Sequence, residues 1–368
     1  MLTLVSADLT PATADALARE RSWELRRVRR VSAAVAEMPP AERASVGVLI
    51  VEAEPVNEAL LSQLSGLHLI ACVRGDPVNV DVAAATARGA LVVHAPGRNA
   101  EAVADFTLGL CLAAVRSIAL SHHEIVSGTL TSKKTGSRPA PAVTAPGDVV
   151  WRPDDPAGPI PYLMYRGREL SSLTVGLVGF GAVGKAVARR FGGLVREVHV
   201  ADPAVGAETI KDRGFIPTPL PELLPIADVV SLHARSASIV IGRDELALMK
   251  PGSILINTAR ATVLDYDALQ ESLQSGQVAA AALDVFPEEP IPARSPLLGQ
   301  PNLTMTPHLA GATAEVSTWQ SEILLAAIRG IYTAGADWNE LPVRNRELRA
   351  AWAKRHVTAE APPPEETR

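Results

Sequence analysis

Residues 174–191 read TVGLVGFGAVGKAVARRF, and this stretch narrows the possible folds more than any other in the chain. The apolar run TVGLV has the composition of a buried strand, and GKAVARRF continues with helical spacing. Between them Gly179, Gly181 and Gly184 stand in the spacing G-x-G-x-x-G. Each glycine of such a turn has its own steric reason. The first permits the tight turn, the second lets backbone approach a pyrophosphate, and the third lets helix and strand pack closely. The helix N-terminus behind them, at Ala182 and Val183, adds free N–H groups and a positive dipole end.

An acid at the end of the next strand completes the pattern. Asp202 closes the run EVHVAD, at about the twenty-residue spacing expected of the residue that binds the adenosine ribose. A carboxylate accepts hydrogen bonds from a diol and repels a 2′-phosphate. The expected cofactor is therefore NAD in preference to NADP.

The rest of the chain repeats strand–helix alternation. Short apolar runs at 2–6, 46–53, 68–75 and 90–97 alternate with helical patterns. After 197–203 the alternation resumes at 228–234, 253–259, 280–286 and 303–311, and a helix follows over 312–332. Alternation of this kind predicts α/β architecture with parallel sheets covered on both faces. Residues 100–127 read as one long helix, either a buried connection or a contact between two copies. Residues 128–168 are rich in Pro, Gly, Ser and Thr and read as a long loop, with Trp151, Tyr162 and Tyr165 available to pack. The final Pro- and Glu-rich stretch reads as a disordered end.

Composition excludes several classes. Of 368 residues, 47% are apolar and the net charge is −5, with no basic run to track a phosphate backbone. Nucleic acid is not an expected partner. No apolar run approaches the roughly 20 residues of a membrane span, and the N-terminus reads as a strand entering a helix. Cys72 and Cys111 lie in apolar surroundings, which points to buried thiols in the cytoplasm and to no metal site.

Three polar residues stand at or just after apolar strands of the second half. Arg260 follows SILINTA, Glu289 follows AALDVFPE, and His308 follows LTMTP. In open parallel sheets ligands bind at the carboxyl ends of strands, so these three can converge. With their surroundings, INTARATVLDYDAL, AALDVFPEEP and NLTMTPHLAGAT, they follow VGFGAVG in an order that resembles the D-isomer-specific 2-hydroxyacid dehydrogenases. The branch that includes D-3-phosphoglycerate dehydrogenase is nearest. Upstream, VRGDPVNVDVAAATARGALVVHAPGRNAEAVADFTLGL extends the resemblance, which spans roughly 46–330 apart from the long loop.

The resemblance implies roles. Arg260 would bind the substrate carboxylate and polarise the carbonyl through its fork of donors. His308 would exchange the proton, since an imidazole ordinarily titrates near neutral pH. Glu289, placed immediately before Pro290, would orient that imidazole, in preference to Glu288. Thr258, Ala259, Asp284, Arg260, His308 and Gly311 would lie toward the nicotinamide, with Ala234 in a loop beside the cofactor. Arg74, Gly75 and Asp76 would form the loop that offers backbone N–H groups to the substrate.

The resemblance also implies two doubly wound parallel-sheet domains, a Rossmann NAD-binding domain inserted into a flavodoxin-like substrate domain. The expected divisions are a substrate domain over 1–100, the nucleotide domain over 101–311, a returning substrate-domain helix over 312–345 and a tail over 346–368. Partners would be a small 2-hydroxy or 2-keto acid and a second copy of the chain, met through the nucleotide-binding domain. A non-catalytic NAD-binding regulator, or a dehydrogenase of the formate or phosphite type, would keep the same residues.

Two departures from the family pattern bear on specificity. Asp76 stands where a small residue is usual, and an inward carboxylate there would disfavour a phosphorylated substrate. Ala261 replaces the glycine that normally follows the arginine, removing freedom for positive φ.

Overall fold

The computed structural model describes residues 1–130 and 161–357, apart from the side chains of Tyr162 and Leu163. Most of the expected long loop, Trp151 included, lies outside the described residues, as does the expected disordered end. The chain divides into two units, one comprising Met1–Asn99 with Ala312–Arg368 and the other Ala100–Gly311.

The first unit is built on strands β1 (Leu2–Val5), β2 (Glu24–Arg27), β3 (Val46–Val51), β4 (Leu69–Cys72) and β5 (Leu91–His94). They are parallel, in the order β2-β1-β3-β4-β5, the flavodoxin-like arrangement. Every residue of β3 is buried, because helices cover both faces of such a sheet, and VGVLIV is accordingly apolar throughout. Strand β2 has no apolar alternation. Its sequence ELRR suits an exposed edge, where charge discourages pairing with another chain.

The opposite edge is covered from the C-terminal side. Val343 bridges Val93 in antiparallel fashion, and buried Asn345 accepts from Val92 N–H at 2.9 Å while donating to Ala90 O at 2.9 Å. The helix Val316–Tyr332 packs Leu324, Ala327, Ile328 and Ile331 onto this sheet. Residues 346–356, read from sequence as tail, form a 3-10 turn and the helix Arg349–His356. Trp352 is buried in the same core, and its indole N–H donates to His68 O at 2.9 Å. One aromatic anchor in a polar helix leaves little periodicity to read.

The second unit holds β6 (Thr174–Val178), β7 (Glu197–Ala201), β8 (Ile216–Pro217), β9 (Val229–Leu232), β10 (Ser253–Asn257), β11 (Val278–Leu283) and β12 (Leu303–Met305). All are parallel, in the order β12-β11-β10-β9-β6-β7-β8. The chain starts centrally at β6, moves outward to β8, then returns to β9 and continues the other way. In open α/β sheets a reversal of strand order, here between β6 and β9, is where ligands generally bind.

Residues 100–127 are not one helix. Ala100–Val115 and Ile118–Val126 meet at a bend of 66°, with Ser117 in the left-handed region at φ 53°. The first packs Ala104, Leu110 and Cys111 into the core beside Val187 and Phe191, whereas the second buries no residue. Apolar periodicity runs through the break, so a single left-handed residue is invisible to it. Among the described residues no single helix is long and apolar enough to cross a membrane.

Asp228 ties the entry of this sheet together. Its buried carboxylate accepts from Arg168 at 2.6 Å, Lys250 at 2.7 Å and Thr174 N–H at 2.9 Å. Burial alone would raise its pKa, but these partners outweigh burial and bring it down to about 2. A depressed folded-state value means stability present above the unfolded carboxylate range and lost as pH falls from about 4 toward 2. Asp228→Asn is expected to lower stability by roughly 1.5–3 kcal/mol at neutral pH and to flatten acid unfolding in that window, as followed by circular dichroism.

Candidate functional site

The glycine turn has the geometry its spacing implies. Gly179 lies at φ +103°, and a Cβ there would stand 2.6 Å from Ala234 N. A Cβ on Gly184 would stand 2.1 Å from Gly179 O. Neither position admits another residue without displacing backbone. Gly181 differs, because a Cβ there would meet nothing within 4 Å. No packing within the chain requires a glycine there, and the space over its backbone is open. Gly181 caps the helix Ala182–Phe191, whose first N–H groups, at Ala182, Val183 and Gly184, have no intrahelical acceptor. An open cradle facing orphan donors fits a pyrophosphate.

Asp202 lies beside the same turn. Its carboxylate accepts from Phe180 N–H at 2.6 Å and from Ala204 N–H at 2.8 Å. One bond to each oxygen fixes its orientation and leaves further acceptor capacity on both. Ala234, expected beside the cofactor, adjoins Gly179 through its own backbone. His233 stands just before it, held neutral by burial that pushes its imidazole down to about 3.

The ends of β10, β11 and β12 carry the remaining residues. Asn257 closes β10 with an Asx-type turn, accepting from Ala259 N–H and donating to Arg260 O, both at 3.0 Å. Thr258 is buried, its hydroxyl 2.9 Å from that of Thr107. Arg260 is exposed and donates through Nη1 to Ala259 O at 2.6 Å. Ala261 begins a 3-10 turn and is not among the residues at positive φ, so its methyl imposes no backbone strain there.

Asp284 is fully buried just after β11. Its Oδ1 accepts from Thr306 Oγ1 at 2.6 Å and Leu309 N–H at 2.8 Å, and its Oδ2 accepts from Ala310 N–H at 2.8 Å. One carboxylate thus holds both flanks of His308, which sits at φ +57°, a conformation costly for a residue with a Cβ. Gly311 follows this loop and ends the unit.

The imidazole Nδ1 of His308 lies 2.7 Å from Glu289 Oε2, while Glu289 Oε1 accepts from Phe286 N–H at 3.0 Å. Burial alone would raise the Glu289 carboxyl. The His308 bond, the Phe286 N–H and the charges of His308 and Arg260 outweigh it and hold the carboxyl below its ordinary value. Arg260, Glu289 and His308 are therefore electrostatic neighbours. Among the described residues the His308 imidazole pairs with Glu289 and not with Glu288.

The loop 74–76 belongs to the first unit. Arg74 O accepts from Ala95 N–H at 2.9 Å, and Gly75 O lies 3.0 Å from His94 Nδ1. Asp76 is ion-paired with Arg344 at 3.5 Å. The Arg344 guanidinium offsets part of the Asp76 charge.

Comparison with known proteins decides the family. Residues 160–310 match the model of the D-isomer specific 2-hydroxyacid dehydrogenase NAD binding domain. A glyoxylate reductase of Korarchaeum cryptofilum is 32% identical over 74% of this chain and 75% of its own length. The chain belongs to the D-isomer specific 2-hydroxyacid dehydrogenase family. It is an oxidoreductase with an NAD(P)-binding domain. A D-3-phosphoglycerate dehydrogenase of Archaeoglobus fulgidus is 33% identical over 73% of this chain, which spans 44% of that longer protein. The crystal structure of a glyoxylate reductase from Paecilomyes thermophila shares the fold at TM-score 0.71 and 24% identity, over 94% of this chain and 99% of that one.

Sequence reasoning passed over Asn257, Thr306 and Tyr266, which hold the loops without belonging to the motif's named roles. Asn at a strand end before T-A-R is itself a turn signal. Asp284→Asn would put a donor against an N–H or leave one unpaired. Thermal unfolding should show a loss of roughly 1–3 kcal/mol, and turnover should fall more than NADH affinity measured by fluorescence.

Proposed function

We propose that the enzyme interconverts a small 2-keto acid and the corresponding D-2-hydroxy acid, using NAD. The observation that supports this most is the Glu289–His308 pair at 2.7 Å beside Arg260, in a unit whose glycine turn suits a dinucleotide. Arg260 would take the substrate carboxylate through its guanidinium fork, since its bond to Ala259 O engages one of five donors. Glu289 would fix the ring of His308 through Nδ1, leaving Nε2 to give a proton to the carbonyl oxygen and to recover it in the reverse direction. Bound NADH would supply the hydride to the carbonyl carbon.

NAD is proposed over NADP because Asp202 is held in place by two backbone donors and cannot swing away from a 2′-phosphate. A glyoxylate-type substrate is proposed by likeness to the reductase relatives. The exposed Ile118, Ile125 and Val126 suit a contact between two copies through the nucleotide-binding unit. Buried free Cys72 and Cys111 suit the cytoplasm.

Glyoxylate, pyruvate, hydroxypyruvate and 3-phosphohydroxypyruvate, each tested with NADH and NADPH at the nicotinamide absorbance, check the proposal. NADH should be preferred at least about tenfold, with Asp202→Ala narrowing the gap, and small keto acids should exceed the phosphorylated one. Turnover of none of them, with NADH binding intact, would instead favour a regulator.

A further inference from the structure

The peptide group between Val285 and Phe286 is hydrogen-bonded at both ends. Its N–H donates to Glu289 Oε1 at 3.0 Å. Its carbonyl accepts from the phenol of Tyr266 at 2.5 Å. Tyr266 opens the helix Tyr266–Ser275 and is partly buried, so its hydroxyl is aimed by a fixed helix start. A donor on a peptide carbonyl polarises the whole amide and strengthens its N–H as a donor. The sequence thus connects Tyr266, through one peptide plane, to the carboxylate that orients His308.

We propose that Tyr266 is a positioning residue for the proton-transfer pair, polarising the Val285–Phe286 peptide so that Glu289 stays ionised and aligned on His308. This rests on the reading of Glu289 and His308 given above. Tyr266 can hold that part over the whole working range, because burial and the charge of Glu289 raise its phenol pKa and keep it protonated. The charged and titratable groups acting on Glu289 are His308 and Arg260, with Glu288 as its chain neighbour and Tyr266 beyond the peptide. Loss of the phenol weakens one of the bonds that offset burial of the carboxylate. The acid limb of activity, where Glu289 takes up a proton, then moves to higher pH.

Tyr266→Phe keeps the ring and removes the donor. Keto-acid reduction is measured from acid to neutral pH for the wild type, Tyr266→Phe, a variant carrying 3-fluorotyrosine at 266, and Glu289→Gln. Tyr266→Phe is expected to lower kcat about fivefold and to raise the acid limb by about half a pH unit, with KM for NADH unchanged. Fluorotyrosine, a stronger donor, is expected to shift the limb the other way. An unmoved limb in Tyr266→Phe, or an equal fall in kcat, NADH binding and melting temperature without a shift, overturns the proposal. A wild-type profile retained in Glu289→Gln would overturn the underlying reading of the pair as well, and so distinguishes the two failures.

Discussion

Three hydrogen bonds to one buried carboxylate, Asp284, hold the loop that carries His308. An unpaired carboxylate in that position would cost several kcal/mol in desolvation, so loop and acid depend on each other. The bonds fall on both sides of a residue at φ +57°, which the chain would otherwise leave. The imidazole then reaches Glu289, and Glu289 reaches back to the backbone after β11. Asp284 is thus the fixed point from which the proposed proton donor is aimed.

The same use of backbone recurs at the nucleotide end. Gly184 and Gly179 pack against chain atoms, while Gly181 leaves its cradle open. Asp202 is held by the Phe180 amide next to that turn, which couples the proposed ribose-binding acid to the proposed phosphate-binding loop. Both ends of the site lie at the carboxyl ends of one parallel sheet, so β6 to β12 set their spacing. Loops that are short and doubly bonded lose little freedom when a ligand arrives.

The sequence carried most of this because its signals were local. A glycine spacing, an acid at the next strand end and three polar residues after apolar runs all lie within a few residues of the structure they imply. Both parallel sheets could be read, since VGVLIV and its counterparts are apolar for the reason that they are covered on both faces. Strand β2 was missed because ELRR is polar at an exposed edge. The break at Ser117 and the helix around Trp352 were missed because one dihedral or one anchor decides each. The offset of Asp76 by Arg344 joins residues far apart in the chain, and no local pattern announces it.

The central claim is that His308 transfers the proton while the nucleotide turn binds the cofactor independently of it. The direct measurement is His308→Ala, with NADH affinity read by fluorescence and keto-acid reduction read at the nicotinamide absorbance. The account predicts NADH affinity within about twofold of wild type and turnover reduced by about 10²–10⁴. Weakened NADH binding with turnover at saturating cofactor largely preserved would contradict it.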